Sequence, residues 1–146
     1  MEHHMKGISH LAIGVSDMNK SLPFYRDLLG LEVMLDNEEK VGSGSRRAVY
    51  MRWNKDGGFL VLSQTLGREP SGKPLRLHQV GMHHFAFLVD DLRARVEKLS
   101  GAGVKIIVPP YEAGALAYGE KGSAKILTCL FEDPDGTILQ FDQRMN

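Results

Sequence analysis

The chain has 146 residues, with 18 Lys plus Arg balanced by 18 Asp plus Glu, and 42% of it is hydrophobic. That length favours one domain with core enough to fold without a disulfide or metal, and the composition argues against disorder. Zero formal charge gives no long-range pull on nucleic acid or an anionic membrane. No apolar run approaches the ~20 residues of a spanning helix, the first ten residues lack the apolar core of a secretion signal, and Cys129 is the only cysteine. The expectation is a cytoplasmic protein with no nucleic-acid or membrane partner.

In chain order, Ile8 to Val15 alternates and reads as a strand. Asp17 is placed to cap a helix that starts at Met18, with Leu22, Tyr25, Leu28 and Leu29 at helical spacing and Gly30 at its end. Pro23 falls early enough to be tolerated. Leu31 to Leu35 and Arg47 to Trp53 read as strands. Asp56-Gly57-Gly58 turns the chain into a fourth, Phe59 to Gln64. A connector, Thr65 to Val80, is rich in Gly, Pro and charge. Beyond it come a strand at His83 to Val89, a helix at Asp91 to Leu99 and a strand at Val104 to Val108. Strands at Ile126 to Phe131 and Thr137 to Gln143 then flank Asp135-Gly136.

The second half repeats the first. HLAIGVSDM at 10–18 aligns with HFAFLVDDL at 84–92, and NKDGGFLVLS at 54–63 with DPDGTILQFD at 133–142. The order is βαβββ twice, in modules of about 6–64 and 81–144 joined by the connector 65–80.

Alternation places His10, Ala12 and Gly14 on one face of the first strand, and His84, Ala86 and Leu88 on one face of its repeat. The bulkier opposite faces are expected to cover the helices. In the last strands, Gln140 takes the place of Val61, and Asp142 shares its face. Tyr50 and Arg52 share the other face from Val49 and Met51. Pro109 to Ser123 reads as an irregular lid carrying Tyr111, Glu112 and Tyr118. Tyr50, Tyr118 and Glu112 are the candidate acid–base groups. His83, next to His84, is expected to face the opposite way and serve structure alone. Asp133 to Gly136 reads as a turn, and Cys129 as buried.

"ISHLAIGVSDMNKSLPFYRDLLGLEV", "GMHHFAFLVDDL" and "FEDPDGTILQF" resemble the vicinal oxygen chelate superfamily of glyoxalases, bleomycin-resistance proteins and extradiol dioxygenases. The likeness spans about residues 6–143. It implies an α+β fold in which two βαβββ modules form a curved, open, eight-stranded mixed sheet around a central cavity. It also implies metal ligands on the first and last strands of each module. Here those positions hold His10, Val61, His84 and Gln140. Val61 cannot bind a metal, and Gln140 stands where Glu is usual, so the implied ligand set is His10, His84 and Gln140.

Two functional readings follow. One is a metal-dependent enzyme, dioxygenase-like or a glyoxalase-like lyase or isomerase, using a divalent ion (Fe, Mn, Zn or Ni) to chelate a small oxygenated substrate. The other is a metal-free small-molecule binder of the bleomycin-resistance type. The two histidines favour the first; Val61 and Gln140 favour the second. A homodimer is expected, because the sheet edges of such modules invite pairing.

Overall fold

The computed structural model describes residues 1–145. The chain separates into two compact units, Met1–Gly72 and Lys73–Asn146. Each is α+β and carries one four-stranded mixed sheet, so eight strands are expected and eight are found, four to a sheet. Among the described residues no helix is long and apolar enough to cross a membrane.

In the first unit the strands are β1 (His10–Gly14), β2 (Glu32–Val41), β3 (Gly44–Arg52) and β4 (Phe59–Leu66), in the order β1-β4-β3-β2. β1 runs parallel to β4, and the other pairs are antiparallel. The helix α1 (Met18–Pro23) is shorter than expected. Pro23 lacks the N–H that would continue the ladder, and the chain passes into a single π-helical turn, Phe24–Leu28, closed by Leu29 N–H on the Phe24 carbonyl. The apolar spacing still works: Met18, Phe24, Tyr25 and Leu29 are buried. So are Ile13, Val49, Met51, Leu60 and Leu62, which share one sheet face by register. Each such side chain contributes roughly 1.5–3 kcal/mol when buried.

β2 runs six residues past its expected end at Leu35, through a polar stretch that hydrophobic patterning reads as loop. Cross-strand ion pairs hold it to β3: Glu32 with Arg52, Asp36 with Arg47 and Glu39 with Arg46. Trp53 falls outside β3. β4 takes in Thr65 and Leu66, assigned above to the connector.

The second unit repeats the plan with β5 (His84–Leu88), β6 (Ile106–Gly114), β7 (Lys125–Glu132) and β8 (Ile138–Met145), in the order β5-β8-β7-β6. Its helix, α2 (Leu92–Gly101), buries Leu92, Val96 and Leu99. Leu139, Phe141, Phe131 and Cys129 are buried on one sheet face. The expected lid is corrected here: Pro109 to Gly114 is strand, and Ala115–Tyr118 is a 3₁₀ turn. Two adjacent prolines fit because β6 is an edge strand, and its pairing with β7 is irregular between Val108 and Tyr111.

The repeat extends to capping bonds. Asp17 Oδ1 accepts from Asn19 N–H at 2.9 Å, and Asp91 Oδ1 from Ala94 N–H at 3.1 Å. A second clasp comes from the last strand of each unit. Gln64 Oε1 accepts from Met18 N–H at 2.6 Å, and Gln143 Oε1 from Leu92 N–H at 2.9 Å. The tight turns match too. Asn54 Oδ1 accepts from the amides of Asp56 and Gly57, and Asp133 Oδ1 from those of Asp135 and Thr137.

Candidate functional site

In the first unit, register sets which side chains share the face of His10. Directly paired residues project to the same side. Phe59, Val61 and Ser63 of β4 therefore join His10, and so do Arg52, Tyr50, Ala48 and Arg46 of β3. His10 stacks on Phe59, with centroids 5.0 Å apart and rings 10° from parallel, and Phe59 lies 6.0 Å from the Tyr50 ring. His10 Nδ1 is 2.8 Å from Ser9 Oγ, which leaves Nε2 as the nitrogen for another partner. Val61 is 3% exposed and has no donor atom.

Tyr50 does not stand alone. Its hydroxyl donates to Glu39 Oε1 at 2.6 Å, and Arg46 donates to Glu39 Oε2 at 2.9 Å and to Ser63 Oγ at 3.3 Å. The phenol and the guanidinium together hold Glu39 below its usual range, while the bond to Glu39 raises Tyr50. Tyr50 is thus a fixed hydrogen-bond donor rather than a base. Sequence reading missed Glu39 because it ended β2 at Leu35. Arg52 is tied to Glu32.

In the second unit the same rule puts His84, Ala86 and Leu88 on one face with Ile138, Gln140, Asp142 and Arg144, and with Glu132, Leu130 and Thr128. Tyr118 reaches this face from the 3₁₀ turn. Its hydroxyl donates to Asp142 Oδ1 at 2.6 Å. Gln140 Nε2 donates to the same oxygen at 2.8 Å and lies 3.3 Å from the Tyr118 hydroxyl. Burial, followed by the bond to Asp142, pushes Tyr118 up to about 12, so the phenol keeps its proton. With its nitrogen committed, Gln140 presents Oε1 as the free end of its amide.

Thr128, opposite Asp142 in the ladder, is 1% exposed and its hydroxyl has no hydrogen-bond partner. It still lies near enough to the phenol to oppose part of the Tyr118 rise. Strand parity could have pointed to Thr128 only once its register with Asp142 was known.

His84 sits below its ordinary value, first because it is partly buried and then because His83 is close, so its imidazole is neutral near pH 7. The expectation for His83 is corrected. It precedes β5, its ring stacks on His84 at 4.8 Å, and the two Nδ1 atoms are 2.7 Å apart. Strand parity does not govern a residue before the strand begins. The contact occupies the His84 Nδ1 and leaves Nε2.

Glu112 is also corrected. It pairs with Leu127 in the ladder, which puts it on the face opposite Gln140, and it forms an ion pair with Lys125 at 3.5 Å. It does not join Tyr118. Glu120 pairs with Arg144. Cys129 is buried, with its thiol pushed up to about 11.

Among the described residues no three His, Cys, Asp or Glu side chains converge as a metal-ligating group. A divalent ion in the second unit would therefore draw on the amide oxygen of Gln140. Two donor atoms and one charge near them are what the second unit offers such an ion. His84 is neutral, Gln140 Oε1 is free, and the carboxylate of Asp142, bonded to the amide nitrogen, adds negative charge behind it.

The Glyoxalase/Bleomycin resistance protein/Dioxygenase superfamily profile matches residues 7–141. The uncharacterized protein YaeR of Escherichia coli is 30% identical over 142 residues, covering 93% of this chain and 95% of its own. A probable lactoylglutathione lyase of Synechocystis is 27% identical over 134 residues, 92% of each chain. A glyoxalase-family protein from Bacillus cereus superposes with a TM-score of 0.79 at 13% identity, over 99% of this chain and 98% of its own, a likeness of fold.

Proposed function

Because the chain belongs to the Glyoxalase/Bleomycin resistance protein/Dioxygenase superfamily, we propose that it is a divalent-metal-dependent lyase or isomerase acting on a small oxygenated substrate. The observation that carries this is the Tyr118–Asp142–Gln140 hydrogen-bond set beside a neutral His84. His84 Nε2 and Gln140 Oε1 are the second unit's donors to the ion; His10 is added on its repeat equivalence to His84. When bound, a divalent ion (Fe, Mn, Zn or Ni) supplies Lewis-acid polarisation of substrate oxygens. The chain's own groups do the rest. Asp142 holds the amide by its nitrogen, so that the oxygen is the end left for another partner. Tyr118 keeps its proton and commits its single O–H to Asp142, so it holds that carboxylate in place. The lyase name of the Synechocystis relative favours lyase or isomerase chemistry over a dioxygenase.

Metal titration calorimetry with Mn(II), Zn(II), Fe(II) and Ni(II) tests the reading. Wild type is expected to bind at least one ion, His84→Ala and His10→Ala to weaken it, and Gln140→Glu to tighten it through the added carboxylate. Binding of none of the ions by wild type or Gln140→Glu would remove the metal from the reading. One observation supports a second reading, a metal-free small-molecule binder. Val61, apolar and 3% exposed, occupies a position where the family resemblance implies a ligand.

A further inference from the structure

The lead-in to each strand histidine repeats in sequence, in backbone and in contact. Gly7-Ile8-Ser9-His10 enters β1, and Gly81-Met82-His83-His84 enters β5. Both glycines take a positive φ that a side chain resists, 134° at Gly7 and 128° at Gly81. Ser9 Oγ lies 2.8 Å from His10 Nδ1, and His83 Nδ1 lies 2.7 Å from His84 Nδ1. In both units the Nδ1 of the strand histidine is held by the side chain of the residue just before it.

Each histidine ring is also stacked on a second ring. In the first unit two residues divide the work. Ser9 holds Nδ1, Phe59 stacks on the ring at 5.0 Å, and the Ser9 carbonyl accepts from Phe59 N–H at 3.1 Å. In the second unit His83 does both, with its ring 4.8 Å from that of His84 and 20° from parallel. Stacking fixes the plane of a ring and not its proton; a bond at Nδ1 fixes the proton. A neutral imidazole has one N–H and one lone pair. One of the two facing Nδ1 atoms therefore donates and the other accepts, and each Nε2 takes the opposite character to its own Nδ1. Donation by the strand histidine leaves its Nε2 as a lone pair. Acceptance would put the proton on Nε2 and close it to an ion.

We infer that Ser9 and His83 are positioning residues, each accepting a hydrogen bond from Nδ1–H of the histidine that follows it and so keeping that histidine's Nε2 as a lone-pair donor. This rests on the proposed function, in which those Nε2 atoms face the ion, and it assigns a role to two residues outside the ligand set. The Ser9 bond is exposed, where water competes for it, and the His83 bond is partly buried, so His83 holds its neighbour the more firmly.

The test is a set of proton–nitrogen correlation spectra of the imidazole rings in isotope-labelled, chelator-treated protein at about pH 8, where imidazoles are neutral and the spectra report which nitrogen carries the proton. His84 and His10 are expected in the Nδ1–H form. His83→Phe keeps the stacked ring and removes the acceptor; His83→Asn removes the ring and keeps an acceptor oxygen near the place of Nδ1. Positioning requires the Asn variant to preserve the His84 tautomer and the Phe variant to shift it toward Nε2–H, whereas a purely stacking role would leave the Phe variant like wild type. Ser9→Ala should shift His10 in the same direction by less, and Ser9→Thr should not. For the ion that wild type binds in the metal titration, His83→Phe should weaken affinity about tenfold and His83→Asn by less than about threefold. A wild-type His84 with its proton on Nε2, a tautomer ratio unchanged in His83→Phe, or equal ion affinity in that variant overturns the inference. The wild-type spectrum decides even if the Phe variant does not fold. Because the spectra need no ion, a protein that binds no metal defeats the proposed function and not the tautomer assignment, and the converse holds.

Discussion

Replacing Gln143 by Met keeps the length of the side chain and removes the oxygen that accepts from Leu92 N–H at 2.9 Å. Leu92 is fully buried at the first turn of α2, and Asp91 Oδ1 is already committed to Ala94 N–H. The loss is one net hydrogen bond plus the cost of a partly buried unpaired donor, about 1–2 kcal/mol. For a chain of this size that lowers the melting temperature by about 3–6 °C. Gln143→Glu is the control. A carboxylate accepts the same bond, and its charge at a helix N-terminus adds about 0.3–1 kcal/mol, so this variant should match or exceed wild type at pH 7. Urea and thermal unfolding followed by circular dichroism measure both. A Met variant as stable as wild type, or a Glu variant as weak as Met, refutes the clasp.

Ser21→Ala is expected to raise stability by about 1 kcal/mol, because the Ser21 hydroxyl is buried with no partner and Ala is the better helix former; a loss in urea unfolding would mean that the hydroxyl is bonded. Glu39 is held low by Tyr50 and Arg46, so it binds fewer protons folded than unfolded. Its contribution is fully present above about pH 4.5 and disappears as pH falls through the lowered value. Urea midpoints for Glu39→Gln should therefore fall below wild type at pH 7 and converge with it in acid; equal midpoints at pH 7 would count against the Tyr50–Glu39–Arg46 set. We also propose that the protein is a homodimer, and light scattering at micromolar concentration should return twice the chain mass; a monomer signal over a hundredfold dilution would count against it.

Strand parity is a property of the backbone alone. That is why the sequence by itself set His10 on one face of β1 and grouped Tyr50 with Arg52, and why the βαβββ order was legible twice over. Capping by Asp17 and Asp91 is equally local. The partners of the functional groups were not legible. Tyr50 meets Glu39 only because ion pairs across the hairpin carry β2 beyond Leu35, and those pairs depend on register. Tyr118 meets Asp142 across 24 residues, after β6 has continued through Pro109 and Pro110 as an edge strand. Glu112, read in the same segment as Tyr118, went to the opposite face once that segment became a strand. Hydrophobic periodicity records which side of an element is apolar. Which polar side chain reaches which other is decided by pairing register and side-chain length, and these exist only when the strands are in place.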